Sequence, residues 1–167
     1  NVAAAENENN GIQGTYGDNL KWSFKDGVLK ISGTGEIPKL FLEEIHDQYD
    51  EVSKYTVKEI VIEEGITGIG KSAFFWCRNL EEVKLPKSLT KLSDEAFYEC
   101  NALEKVVLPN NLEVIGDGAF YRCGLKKLEI PESVSNIGSD AFSQCGNLEE
   151  VNIPKGITQI SKGTFRG

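Results

Sequence analysis

The pentapeptide Ala73-Phe74-Phe75-Trp76-Cys77 returns as AFYEC at 96–100, AFYRC at 119–123 and AFSQC at 141–145, and begins a fifth time as TFRG at 164–167. The first positions fall at 73, 96, 119, 141 and 164, so the steps are 23, 23, 22 and 23 residues. A unit of this size cannot bury its own apolar face and folds only by stacking on its neighbours. The period therefore constrains the chain more than any single residue does, and AFFWC is read first as part of a repeat and only second as a thiol in an aromatic pocket.

Each copy carries the same lead-in: LEEVKLPKSLTKLSDEAF from Leu80, LEKVVLPNNLEVIGDGAF from Leu103, LKKLEIPESVSNIGSDAF from Leu125 and LEEVNIPKGITQISKGTF from Leu148. VKEIVIEEGITGIGKSAF from Val57 is a first copy with Glu63 in place of proline. Within a unit, L-x-x-V-x-L/I alternates apolar and polar residues with period 2, the pattern of a short strand, and the proline that follows ends it for want of an N–H. A second short apolar pair follows, before a glycine-permitted turn at Gly70, Gly116 and Gly138. The closing D-x-A-F-x-x-C has room for one helical turn with Ala and Phe folded inward. Stacked copies align these positions at about 4.8 Å, the spacing of paired strands.

The consensus L-x-x-V-x-L-P-x-S-V-x-x-I-G-x-x-A-F-x-x-C resembles the BspA-like class of bacterial leucine-rich repeats, and the five copies cover residues 57–167. The stretch GTYGDNLKWSFKDGVLKISGTGEIP, from Gly14, is similar to the amino-terminal region that precedes the repeats in that family. The departures are Glu63 for Pro, Thr164 for Ala, Leu92 for the usual Ile, and Gly124 alone where the other units have two linker residues. The expected fold is a leucine-rich-repeat solenoid of about five 22–23-residue units, built of short parallel strands with turns or one-turn helices, behind an amino-terminal β-hairpin and helix cap. The resemblance implies a bacterial secreted or cell-surface protein whose role is adhesion to host proteins or to other cells.

Three segments follow: a flexible linker over 1–13, a capping region over 14–56 and the solenoid over 57–167. Asp26-Gly27 between alternating apolar runs is a hairpin signal, and Leu20 to Ser32 is read as that hairpin, with Trp22, Phe24, Leu29 and Ile31 as apolar cover. Pro38 is placed to open a helix over roughly 38–53, with Leu42, Ile45, Tyr49 and Val52 on one face. Ala3 to Ala5 followed by a polar Glu/Asn tract reads as the trailing edge of a processed leader, as in an exported protein, although a trimmed cytosolic chain fits nearly as well. At the other end the sequence stops inside a repeat, and an open strand edge there is expected to self-associate.

The charge balance, 26 acidic residues against 18 basic ones for a net −8, disfavours nucleic acid, whose phosphates need clustered Lys and Arg. The longest apolar runs are only a few residues, far short of the roughly 20 a membrane-spanning helix needs. Cys77, Cys100, Cys123 and Cys145 form no C-x-x-C pair, and His46 is the sole histidine, so neither a zinc site nor a cofactor is expected. Stacked cysteines come within backbone range of one another, yet parallel side chains point alike. A reduced, buried ladder is therefore favoured over disulfides. No nucleophile motif accompanies His46, and no catalytic residue is assigned.

Two surfaces remain as candidates for binding. The outward strand positions form columns, Glu59, Glu82, Lys105, Lys127 and Glu150 beside Val61, Lys84, Val107, Glu129 and Asn152. Their signs are mixed, which is the composition of a solvated sheet, but extended faces are also where solenoids bind partners. The second surface is an aromatic ladder of Phe75, Tyr98 and Tyr121 with Trp76 beside it, able to anchor a protein or to stack on a glycan and otherwise explained by packing between turns. The expected partner is a host or cell-surface protein, or else a glycan. The competing reading is a structural spacer that displays another domain on the bacterial surface.

Overall fold

The computed structural model describes residues 2–7 and 11–167, with side chains from Gly11 onward. Four antiparallel strands open the chain: β1 (Val2–Asn7), β2 (Gly11–Tyr16), β3 (Leu20–Lys25) and β4 (Val28–Gly33). The linker expected over 1–13 is thus corrected in part, because Val2–Asn7 pairs along its length with Gly11–Tyr16. The β3–β4 hairpin turns at Asp26 and Gly27, both at positive φ (51° and 84°), as a tight two-residue turn demands. Its inward residues Trp22, Phe24, Leu29 and Ile31 are buried.

From β4 onward the chain coils. β6 (Glu59–Ile62), β8 (Glu82–Lys84) and β10 (Lys105–Val106) continue in parallel from β4, completing a seven-stranded sheet. β12 (Lys127–Glu129) and β14 (Glu150–Asn152) carry the same ladder on as a separate parallel pair. The second apolar pair of each unit forms another parallel sheet, in the order β13 (Asn136–Ile137), β11 (Val114–Ile115), β9 (Lys91–Leu92), β7 (Ile66–Ile69) and β5 (Gly35–Ile37). β4 and β5 therefore form the start of a coil that lies under the first repeat in register: Leu29 opposite Ile60, Ile31 opposite Ile62.

The third side of each coil, the A-F-x-x-C segment, is held by turns and not by a helix. Its residues alternate into positive φ, at Ser72 and Trp76, Glu95 and Glu99, Gly118 and Arg122, Asp140 and Gln144. That alternation turns every second N–H toward the next coil. Phe74 N donates to Ala96 O at 3.0 Å, Phe97 N to Ala119 O at 2.8 Å and Phe120 N to Ala141 O at 2.8 Å. A helical turn would point these donors along its own axis and leave the stack unpaired.

The expected helix over 38–53 is shorter: α1 spans Phe41–His46. Leu40, in the left-handed region at φ 53°, and Leu42 give their N–H groups to Lys71 O and Ala73 O of the first repeat, so the chain before the helix is committed to the stack. Leu42, Ile45 and Val52 nevertheless face the core, and Tyr49 packs its ring 5.5 Å from Trp22. The Glu63 departure has a matching cause: Glu63 N donates to Ile31 O of the cap at 2.9 Å, a bond that proline at this position would remove.

A column of phenylalanines runs through the interior. Phe74, Phe97, Phe120, Phe142 and Phe165 stack at 5.5–5.6 Å with nearly parallel rings, and Phe41 of α1 extends the column at 6.2 Å, edge to face with Phe74. Stacked coils present identical side chains to each other at backbone spacing, which is why the rings are offset-parallel along the repeats and become T-shaped where the cap begins.

Candidate interaction faces

The ten predicted sheet-face residues, the half-buried Val61 on β6 among them, lie on the outer side of the main ladder, alternating with the buried Ile60, Val83, Val106 and Leu128. Glu59, Glu82 and Lys84 stand on β6 and β8, Lys105 on β10 with Val107 just past its end, and Lys127, Glu129, Glu150 and Asn152 on the β12–β14 pair. Register sets Glu59 opposite Glu82, Glu82 opposite Lys105 and Lys127 opposite Glu150. Lys84 Nζ relieves the Glu59–Glu82 repulsion by reaching both carboxylates, at 2.7 and 3.8 Å. Its hydrogen bond to Glu59 raises the Lys84 pKa. Lys127 reaches Glu150 at 3.2 Å and, one column over, Lys126 reaches Glu104 at 2.5 Å.

The face is therefore laced by cross-strand ion pairs of little individual worth, which among the described residues leave out the anion Glu129 and one cation. Among the described residues Lys105 makes no ion pair, and Val107 beside it is 69 % exposed. Both line a shallow trough of about 930 Å³ that runs from the β3–β4 turn at Asp26 across Glu59, Glu82 and Lys84 to Asn111.

The predicted aromatic ladder is divided by the structure. Tyr98 and Tyr121 stack at 4.6 Å, 9° from parallel, and burial is the main cause of a raised Tyr98 pKa. Phe75 turns instead toward Trp76, 5.6 Å away. Trp76 is 41 % exposed, and Lys54 Nζ sits 5.3 Å from both the Phe75 and Trp76 ring centroids and 5.8 Å from that of Tyr55. Three rings around one ammonium, with Glu43 at 3.6 Å, make a cation–π contact that fixes the chain between α1 and β6. Lys54 and Tyr55 precede the first unit that the 23-residue period marks, at Val57. Below Trp76, Glu99 is almost fully covered and binds Arg78 at 2.8 Å and Arg122 at 3.3 Å.

The four cysteines are buried free thiols. Each of the last three donates to the Phe carbonyl of the coil before it, from Cys100 to Phe74 at 3.3 Å, Cys123 to Phe97 at 3.2 Å and Cys145 to Phe120 at 3.2 Å. Desolvation raises the Cys100 pKa well above the ordinary thiol range and pushes Cys145 up to about 12. His46, at the end of α1, lines a recess of about 200 Å³ with Glu43, Asp47 and Lys54, and its buried Nδ1 has no hydrogen-bond partner among the described residues. Among those residues no group of three or more His, Cys, Asp or Glu is placed to hold a metal ion, and no helix is long and apolar enough to cross a membrane.

Three solved structures share the fold. A leucine-rich repeat protein from Bacteroides ovatus is 26 % identical with a TM-score of 0.68 over 89 % of this chain and 43 % of its own. One from Eubacterium ventriosum is 24 % identical with a TM-score of 0.66 over 87 % and 45 %. The leucine-rich repeat protein TpLRR of T. pallidum is 22 % identical with a TM-score of 0.62 over 84 % and 83 %. The chain thus spans less than half the length of the first two and most of the third. Among proteins with curated descriptions none matches significantly. The BspA type leucine rich repeat region matches residues 50–167 in six copies, reaching seven residues further toward the amino terminus than the five units read from the period. With that match over well more than half of its length, the chain belongs to the BspA-type leucine-rich repeat family.

Proposed function

We propose that the chain is a non-enzymatic protein-interaction module, displayed at the cell surface or secreted, and that its outer sheet face is the recognition surface. The observation that carries this reading is the trough around Val107 and Lys105, an exposed aliphatic side chain and a cation without an ion pair, set in a face whose other charges largely neutralise one another. A partner that covers Val107 gains apolar burial, and one that brings a carboxylate to Lys105 need not first break an ion pair. The backbone beneath is held by parallel ladders on both sides of the coil, so little conformational entropy is lost on binding. Membership of a repeat family with bacterial structural relatives supports the adhesive role, with a host or cell-surface protein as the partner.

The test is surface plasmon resonance of the intact chain against immobilised host extracellular-matrix proteins and against whole bacterial cells. Saturable binding to one of them is expected. Absence of binding to every surface at micromolar concentration contradicts the reading and favours the spacer, which requires a stable stack and no partner.

A further inference from the structure

The edge of the stack beside the A-F-x-x-C turns carries a second, unassigned feature. An open groove of about 520 Å³ is lined by Arg78, Glu99, Asn101, Arg122, Gln144 and Asn147. All six side chains end in planar polar groups. The groove lies at the one irregular repeat: Gly124 alone joins Cys123 to the next unit, so the wall is a residue shorter there. Gly124 cannot be replaced by a larger residue, since a Cβ would meet Asn101 O at 2.4 Å, whereas Gly146 across the groove has no atom within 4 Å of its would-be Cβ. Each of its two arginines lies over an aromatic ring. Arg78 lies 5.7 Å over the Trp76 ring and Arg122 lies 5.6 Å over the Tyr121 ring.

We propose that this groove binds an oligosaccharide bearing a carboxylate. Planar amide, guanidinium and carboxylate ends match the paired hydroxyls of a sugar with paired donors and acceptors, and the exposed Trp76 ring suits the apolar C–H face of a pyranose. Two guanidiniums share the single carboxylate of Glu99 and leave one positive charge in the groove of a chain whose net charge is −8, so a carboxylated sugar is selected over a neutral one. The site is on a different side of the coil from the Val107 trough and does not depend on the sheet-face reading.

The test is a printed array of neutral, uronic-acid and sialylated oligosaccharides, followed by titration of the strongest binder. Tryptophan fluorescence reports the groove, because Trp22 is buried and Trp76 is not. Carboxylated glycans are expected above neutral ones, with affinity at least tenfold weaker in Trp76→Ala, Arg122→Ala and the blocking variant Gly146→Trp, the last keeping the wild-type melting temperature because its side chain enters open space. No glycan above background overturns the proposal. So does a poly-glutamate peptide that binds as tightly as the sugars, or glycan affinity unchanged in Gly146→Trp.

Discussion

The Cys100 thiol donates to the carbonyl oxygen of Phe74 in the coil before it, at 3.3 Å, and the same bond recurs from Cys123 to Phe97 and from Cys145 to Phe120. The cysteine of A-F-x-x-C is a small apolar residue that also carries a weak donor, which is what a buried position facing a carbonyl requires. Native protein at pH 8 should therefore show no thiol reacting rapidly with a disulfide reagent, and four after unfolding in guanidinium. Cys100→Ala should lose about 1–2 kcal/mol, from the missing donor and the gap left by the sulfur. Rapid native labelling of two or more thiols would refute the buried ladder.

The same burial sets a pH dependence. A thiol whose folded pKa lies above its unfolded value binds its proton more tightly when folded, so its contribution is complete below the unfolded value near 8.5 and is lost as pH rises toward the folded one. For Cys145, pushed up to about 12 mainly by desolvation, the window runs from about pH 8.5 to about 12. Urea midpoints measured at pH 7, 8 and 10.5 should be nearly flat over the first step and fall over the second, at up to roughly 1.4 kcal/mol per pH unit for each such thiol. Replacing Cys145 with Ala should flatten that slope.

Phe97 is fully buried between Phe74 and Phe120, at 5.5 Å from each. Truncation to Ala should cost about 3–5 kcal/mol, since the coils above and below are pinned by their own backbone ladders and cannot close over the void. Phe97→Leu should cost clearly less. Both are read by urea denaturation, where a changed slope as well as a changed midpoint would show that the stack no longer unfolds as one unit.

Two glycines at positive φ should behave oppositely. A Cβ on Gly33 would lie 1.9 Å from Asn19 O, and its φ of 121° is outside the range open to other residues. Gly33→Ala is expected to destabilise the cap by roughly 2–4 kcal/mol. Gly118, at φ 60°, stands where other coils place Ser72, Glu95 and Asp140, and the nearest atom to its would-be Cβ is at 3.5 Å. Gly118→Asn should cost less than about 1 kcal/mol. Thermal melts of the two variants decide the contrast.

The strands of the repeats were legible from period 2, and the stacking from the 22–23-residue step, because both are properties that every copy repeats. The turn that replaces a helix at A-F-x-x-C was not. Ser72 and Glu95 carry no signal for positive φ, and their conformation follows from the hydrogen bonds of the neighbouring coil. At α1, likewise, the apolar spacing places Leu42, Ile45, Tyr49 and Val52 on one face of a helix over 38–53, whereas the helix ends at His46, with Leu42, Ile45 and Val52 buried and Tyr49 partly so. Among the candidate surfaces, the outward columns could be placed by alternation alone. The Lys54 contact with Phe75 and Trp76 joins the stretch before Val57 to the variable positions of A-F-x-x-C, and no single-sequence pattern predicts it.

The central claim, that the outer sheet face recognises a partner, is tested most directly by Val107→Asp. The side chain is exposed, so the melting temperature should stay within about 2 °C of wild type. Affinity for the partner found by surface plasmon resonance should fall at least tenfold, because a carboxylate now stands where apolar area was to be covered. Unchanged affinity in a variant that melts like wild type would show that the partner binds elsewhere, and the trough would then be only a solvated sheet.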